Sequence, residues 1–316
     1  MATGPGTGLR RRAAATLVRR PPAGPPRSGP DAVSQAVTRG VEWAVDGAGP
    51  EEDERRLATV EPELRGFAYE GAAMAYTILD VLPGGGRDRT RRLLDGPGRP
   101  HLVPVHLGIG AALARLPHRL WRRILPDLAD PDHCPLSWLA VDGYGFELAY
   151  AHLRRCLVEQ RVPAAYPWPG AQAYVPRVVD QGIGRALWFV HAGVAEQAGA
   201  AVLRFRPDRQ PDLWRGIGFA ATYAGGTRPA GLALLAGPHR AELGTGAVLA
   251  AKARTDAGVV PAHTEQAARA LAGLPVAAAA ALADEATRMG DEPGPAYERW
   301  REHVRANLPA ALRPTA

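Results

Sequence analysis

A glycine pair, or its near relative, recurs six times along the chain. The cores are Gly71-Ala72-Ala73, Gly108-Ile109-Gly110, Gly143-Tyr144-Gly145, Gly182-Ile183-Gly184, Gly216-Ile217-Gly218 and Gly244-Thr245-Gly246. Their leading glycines are 37, 35, 39, 34 and 28 residues apart, and a period near 35 is that of a helical hairpin repeat. With the leading glycine as position 0 and 100° per residue, positions −3, +1, +5 and +8 fall on one helical face. They are occupied by Val105, Ile109, Leu113 and Leu116 in the second core, and by Val179, Ile183, Leu187 and Val190 in the fourth. The fifth has Leu213, Ile217, Ala221 and Ala224, and the sixth ends this stripe on Lys252. A recurring apolar stripe is what a buried helix requires.

The two glycines of a core lie on different flanks of that helix. A glycine inside a helix costs roughly 1 kcal/mol relative to alanine, so eleven of them require an offset of about ten. Close approach of a neighbouring backbone on both flanks supplies it, as in an array where each helix is sandwiched between predecessor and successor. The expected fold is therefore all-α: about six glycine-marked helical hairpin repeats in a curled α/α solenoid or toroid. Shorter partner helices are expected at Arg89 to Leu94, Arg119 to Leu128, Ala195 to Phe205 and Glu265 to Ala286, with capping helices at 31–46 and 296–308. Turns are marked by Pro83 to Gly86, Gly96-Pro97-Gly98, Asp130-Pro131-Asp132, Pro167 to Gly170 and Gly225-Gly226.

Charge is distributed unevenly. Arg10, Arg11, Arg12, Arg19, Arg20 and Arg27 all precede the first acid, Asp31, and account for the formal +6; the other 32 basic residues balance 32 acidic ones. Residues 1–30 read as a disordered basic tail, and 31–316 as a single helical repeat domain. The near-neutral remainder argues against a nucleic-acid surface. No run reaches the eighteen apolar residues of a membrane span, and Ala13 to Val18 is too short for the core of an export signal. Cys134 and Cys156 lack metal-ligand spacing and read as reduced thiols of a cytoplasmic protein.

Several chemistries are excluded by pattern. A dinucleotide fingerprint needs a small residue three positions after the second glycine and a strand before it. Here that position is Leu113, Leu148, Leu187, Ala221 or Leu249, with no strand pattern preceding. There is no zinc-binding His-Glu-x-x-His, no Cys-x-x-Cys and no nucleophile elbow. No cofactor or metal is expected, and no catalytic residue is assigned.

Polar residues that interrupt the apolar pattern carry more information. Position −1 holds Glu70, Asp142, Gln181 and Arg215, position −2 holds His106 and Asp180, and position +3 holds Arg185 beside Phe146 and Phe219. If the helices curl about a common axis, Glu70, His106, Asp142, Asp180, Arg185 and Arg215 are candidates to line a shared cavity. Carboxylates and guanidinium groups there would do acid–base work or hold a carboxylate. The alternative is a set of structural ion pairs between adjacent repeats, with His106 bonded to a main-chain carbonyl.

Four segments resemble a known family: Arg65 to Ala75, Val141 to Phe146, Asp180 to Phe189 and Trp214 to Gly218. They are similar to domain of unknown function 1702, a family of actinobacterial proteins found beside the iterative polyketide synthases of enediyne antibiotics. The likeness spans about residues 35 to 310. The third core has Phe146-Glu147 where a histidine is expected nearby, and the family offers no catalytic residue to carry over. The resemblance implies an accessory role in enediyne biosynthesis, binding or transforming the polyene or an early core intermediate. Its implied partners are that small molecule and the polyketide synthase or its accessory proteins. A noncatalytic scaffold for those enzymes and a self-resistance protein are the other readings.

Overall fold

The computed structural model describes residues 30–47, 50–82, 88–121, 123–124, 135–161, 173–227, 229–288 and 295–312. Residues 1–29 of the basic tail, the turns at 83–86, 130–132 and 167–170, and Cys134 lie outside the described residues, and Pro30, expected in the tail, opens the first helix.

Fifteen α-helices and no strand occur among the described residues. They are α1 (Pro30–Asp46), α2 (Pro50–Ala58), α3 (Pro62–Val81), α4 (Arg89–Asp95), α5 (Leu102–Arg115), α6 (His118–Trp121), α7 (Leu139–Ala151), α8 (Val175–Val190), α9 (Ala195–Val202), α10 (Gln210–Ala224), α11 (Pro229–Ala236), α12 (Arg240–Asp256), α13 (Ala262–Ala272), α14 (Val276–Thr287) and α15 (Ala296–Asn307). Proline opens many of them. Pro62, Pro176 and Pro211 sit in the first turns of α3, α8 and α10, while Pro261, Pro275 and Pro295 immediately precede α13, α14 and α15. A residue without an amide hydrogen loses nothing at a helix start, where that donor has no intrahelical acceptor.

Five of the glycine cores head a consistent set of backbone contacts. A methyl group at position 0 would overlap the carbonyl of position −1 on the preceding core helix: Gly108 against Glu70, Gly143 against Leu107, Gly182 against Asp142, Gly216 against Gln181. A methyl at position +2 would overlap the carbonyl of position −3 on the following one: Gly110 against Ala140, Gly145 against Val179, Gly184 against Leu213. Each glycine pair therefore admits one neighbour on each flank. Such approach sets Cα–H groups against carbonyl oxygens, contacts worth about 0.5–1 kcal/mol each.

The same register runs beyond the cores read from sequence. Gly71 meets the carbonyl of Val37, and Gly40 that of Ala68, so α1 joins the series with Thr38 at position 0. At the other end Gly246 meets Arg215, and Gly218 meets Leu243. Position 0 of α12 is thus Gly246 rather than Gly244, a correction of two residues. Gly244 instead faces the Leu271 carbonyl and the Leu308 side chain. The packed order is α1, α3, α5, α7, α8, α10, α12.

Burial is not confined to one stripe. Every residue of α3 from Gly66 to Ile78 is buried, as is every residue of α12 from Ala241 to Ala251. The segment expected as one helix from Glu265 to Ala286 is two, α13 and α14, inclined by 65°. Gly273 ends α13 in the left-handed conformation at φ 66°, and Pro275, two residues later, immediately precedes α14, the usual pairing of helix stop and start. Of the helix expected from Arg119 to Leu128, α6 covers only the beginning, and the rest falls largely outside the described residues. No described helix is long and apolar enough by itself to cross a membrane.

Candidate functional site

Six of the seven register helices contribute to one pocket, mostly from equivalent positions, with Val33, Ala220 and Ala224 beside them. From α1 come Ser34 and Val37, from α3 Phe67 and Glu70, and from α5 Leu107: positions −4 and −1. From α7 come Phe146 and Tyr150, from α8 Arg185 and Phe189, and from α10 Phe219 and Tyr223: positions +3 and +7. Steps of three and four residues keep a helix on one face, so −4, −1, +3 and +7 are successive turns of the same face. The pocket encloses about 50 Å³ beneath an open mouth. It is a slot, with aromatic walls.

Arg185 is its principal polar feature. The side chain is 4% exposed, and its Nε lies 2.7 Å from Oδ1 of Asp142 on the neighbouring α7. Its Cζ sits 4.6 Å from the centre of the Phe146 ring and 5.5 Å from that of Phe219, within cation–π range. Its Nε and Nη2 are both buried and neither makes a hydrogen bond among the described residues, so the Asp142 contact is an ion pair without hydrogen-bond alignment. Burial raises the pKa of Asp142 above the usual carboxylate value, while Arg185 and a hydrogen bond from Gln181 pull it back. Glu70 lines the slot from α3. The Tyr223 hydroxyl is buried without a hydrogen-bond partner among the described residues. Burial raises its pKa; Arg254 and Arg185 oppose the rise, and Glu70 adds to it.

Along the same faces, the other ends of α7, α8 and α10 carry polar groups away from the slot. Gln181 Nε2 donates to Asp142 Oδ2 at 2.7 Å and lies 2.8 Å from the Tyr297 hydroxyl of α15. Asp212 accepts from Arg215 and from Arg301 of α15, and Arg301 also donates to the Tyr174 hydroxyl at 2.9 Å. Helix α15, read from sequence as a cap, thus inserts Tyr297 and Arg301 into the polar end of these faces.

The six residues singled out by sequence therefore separate. Glu70 and Arg185 line the slot, and Asp142 backs Arg185. Asp180 forms a two-point ion pair with Arg209, whose Nε donates at 2.9 Å. Arg215 belongs to the Asp212 cluster, and desolvation lowers its pKa. His106 is buried with Nδ1 2.8 Å from the Leu102 carbonyl. None of Asp180, Arg215 and His106 is part of the slot lining. Phe67, Tyr150, Phe189 and Tyr223 were not selected from sequence. Extending the −1 and +3 face by one turn in each direction would have found them.

Lys252 pairs with Asp256 and, at 2.9 Å, with Asp284, the partners of an ordinary helix-end cation. Cys156 is a buried free thiol. Among the described residues no three His, Cys, Asp or Glu side chains gather as a metal site would need.

Fold and pocket together define an all-helical protein with an aromatic slot containing a buried guanidinium and a carboxylate. Residues 25–308 match the family described as protein of unknown function (DUF1702), and the chain belongs to that family. No curated protein and no solved structure matches it.

Proposed function

We propose that the seven register helices form a curled α/α array whose inner face is a ligand cavity, and that the protein acts in enediyne biosynthesis. In this reading the slot binds the linear conjugated polyene released by the polyketide synthase, or an early core intermediate, and holds it folded and shielded from water. The single observation that carries the ligand-binding part is the lining itself: three consecutive helices present aromatic or guanidinium groups from positions +3 and +7 into one narrow space. A conjugated chain is slender and flat, and aromatic walls offer it offset-stacking and edge contacts. The pathway assignment draws on the sequence resemblance. Gene deletion in a producing strain should leave the polyene or an early intermediate to accumulate; unchanged metabolites and titre would remove the pathway role.

Binding is testable on purified protein with diphenylhexatriene, a conjugated hydrocarbon that fluoresces in apolar surroundings. The wild type should enhance its emission saturably. Ala224→Phe, at the half-buried edge of the slot, should abolish the enhancement while leaving the helical circular dichroism unchanged. Equal binding by both proteins would place the ligand elsewhere. The second reading, a noncatalytic scaffold docking the synthase or partner enzymes, rests on outward-facing apolar side chains such as Val158, 76% exposed, and Leu234, 83% exposed.

A further inference from the structure

We infer that Arg185 makes the slot selective for a conjugated chain ending in a carboxylate, over the bare hydrocarbon; this rests on the slot being the ligand site proposed above. A guanidinium presents its donors as a planar fork and binds a carboxylate at two points. In this protein Asp142 approaches the Nε side, at 2.7 Å. Nη2, like Nε, is buried and makes no hydrogen bond among the described residues, so the contact with Asp142 is one of charge alone. A buried charged donor left unmade is costly. The side chain that carries it lines the slot, between helices whose Phe146 and Phe219 rings lie within 5.5 Å of the guanidinium carbon. Those rings hold its position and exclude water, so an acceptor entering with the ligand would be the one to satisfy it.

Asp142 is the positioning residue in this scheme. It sits at position −1 of α7, its main-chain carbonyl pressed by Gly182 of α8, and Gln181 holds its second oxygen. Asp142 therefore holds the guanidinium by charge from its Nε edge.

The test uses three fluorescent conjugated probes on the full chain: cis-parinaric acid, its methyl ester, and diphenylhexatriene. The wild type should bind the acid roughly tenfold or more tightly than the ester, the range of a charge-assisted hydrogen bond. In Arg185→Met/Asp142→Asn, which leaves no unpaired charge, the two affinities should converge while diphenylhexatriene binding persists. Equal affinity for acid and ester in the wild type, or a preference that survives in the double variant, would overturn the inference while leaving the slot as a site for conjugated ligands. Failure of all three probes to bind the wild type would overturn the ligand-site reading together with it.

Discussion

Arg254 on α12 donates from Nη1 to the main-chain carbonyl of Glu63 in the first turn of α3, at 2.7 Å, across 191 positions of sequence. Its Nη2 donates to the carbonyl of Tyr223 at the end of α10, and its Cζ lies 4.0 Å from the centre of the Tyr223 ring. One buried side chain thus ties the last register helix to the second and to the rim of the slot. Arg254→Met should cost about 2–4 kcal/mol in urea unfolding, from two charge-assisted hydrogen bonds and a cation–π contact. Arg254→Lys should recover only part of this, because an ammonium cannot span the two carbonyls as a fork does. A wild-type midpoint for Arg254→Met would show that the tie contributes nothing.

The register of α12 makes a sharper prediction, because two glycines two residues apart should respond differently. Gly246→Ala places a methyl group on the Arg215 carbonyl, which belongs to a packed backbone. It should destabilise by about 1–3 kcal/mol despite the better helix propensity of alanine. Gly244→Ala meets the Leu271 carbonyl at 2.9 Å and the movable end of Leu308 at 3.1 Å, so its cost should be smaller. Denaturant midpoints of the two variants decide the register, and the opposite order would restore Gly244 as the leading glycine.

The Asp142–Arg185 pair should behave as a buried ion pair. Asp142→Asn strands the guanidinium and should cost about 3 kcal/mol, whereas adding Arg185→Met should restore more than half of the loss. A double-mutant cycle should give a coupling above about 1 kcal/mol. Simple additivity would mean that the two charges are separately solvated.

His101 supplies the pH dependence. It is buried against Tyr69, with ring centres 4.4 Å apart, and desolvation lowers its pKa from 6.5 to about 4, with help from Arg65 and Arg254. Below pH 6.5 the unfolded chain binds a proton that the folded chain refuses. Stability from this group is therefore present above about pH 6.5 and is lost as pH falls toward about 4, by about 3 kcal/mol. His101→Phe should flatten that part of the stability–pH curve. An unchanged slope between pH 6.5 and 4 would assign the acid sensitivity to other groups.

The helical class and the glycine contacts were legible because both arise from local rules: periodic apolar residues, and a glycine cost that only backbone contact offsets. The register of α12 was not legible, since Gly244-Thr245-Gly246 offers two candidate leading glycines and only the neighbour at Arg215 chooses between them. Helix α1 was missed as a member because Thr38-Arg39-Gly40 has a single glycine. For the site, the slot-lining face could be read at Glu70 and Arg185, but how far along it the pocket extends depends on where α1 and α15 pack. The stretch of that face near Asp142 and Arg215 is occupied instead by Tyr297 and Arg301, whose arrival from the far end of the chain has no local signature.

Position −1 has a double character. Its carbonyl is held by the glycine of the next helix, at Val37, Glu70, Leu107, Asp142, Gln181 and Arg215 alike, while its side chain ranges from valine to arginine. Holding the main chain while the side chain varies gives this face a row of equivalent sockets, of which Val37, Glu70 and Leu107 open onto the slot. A new ligand would then call for new side chains in the same sockets, with the framework left as it is.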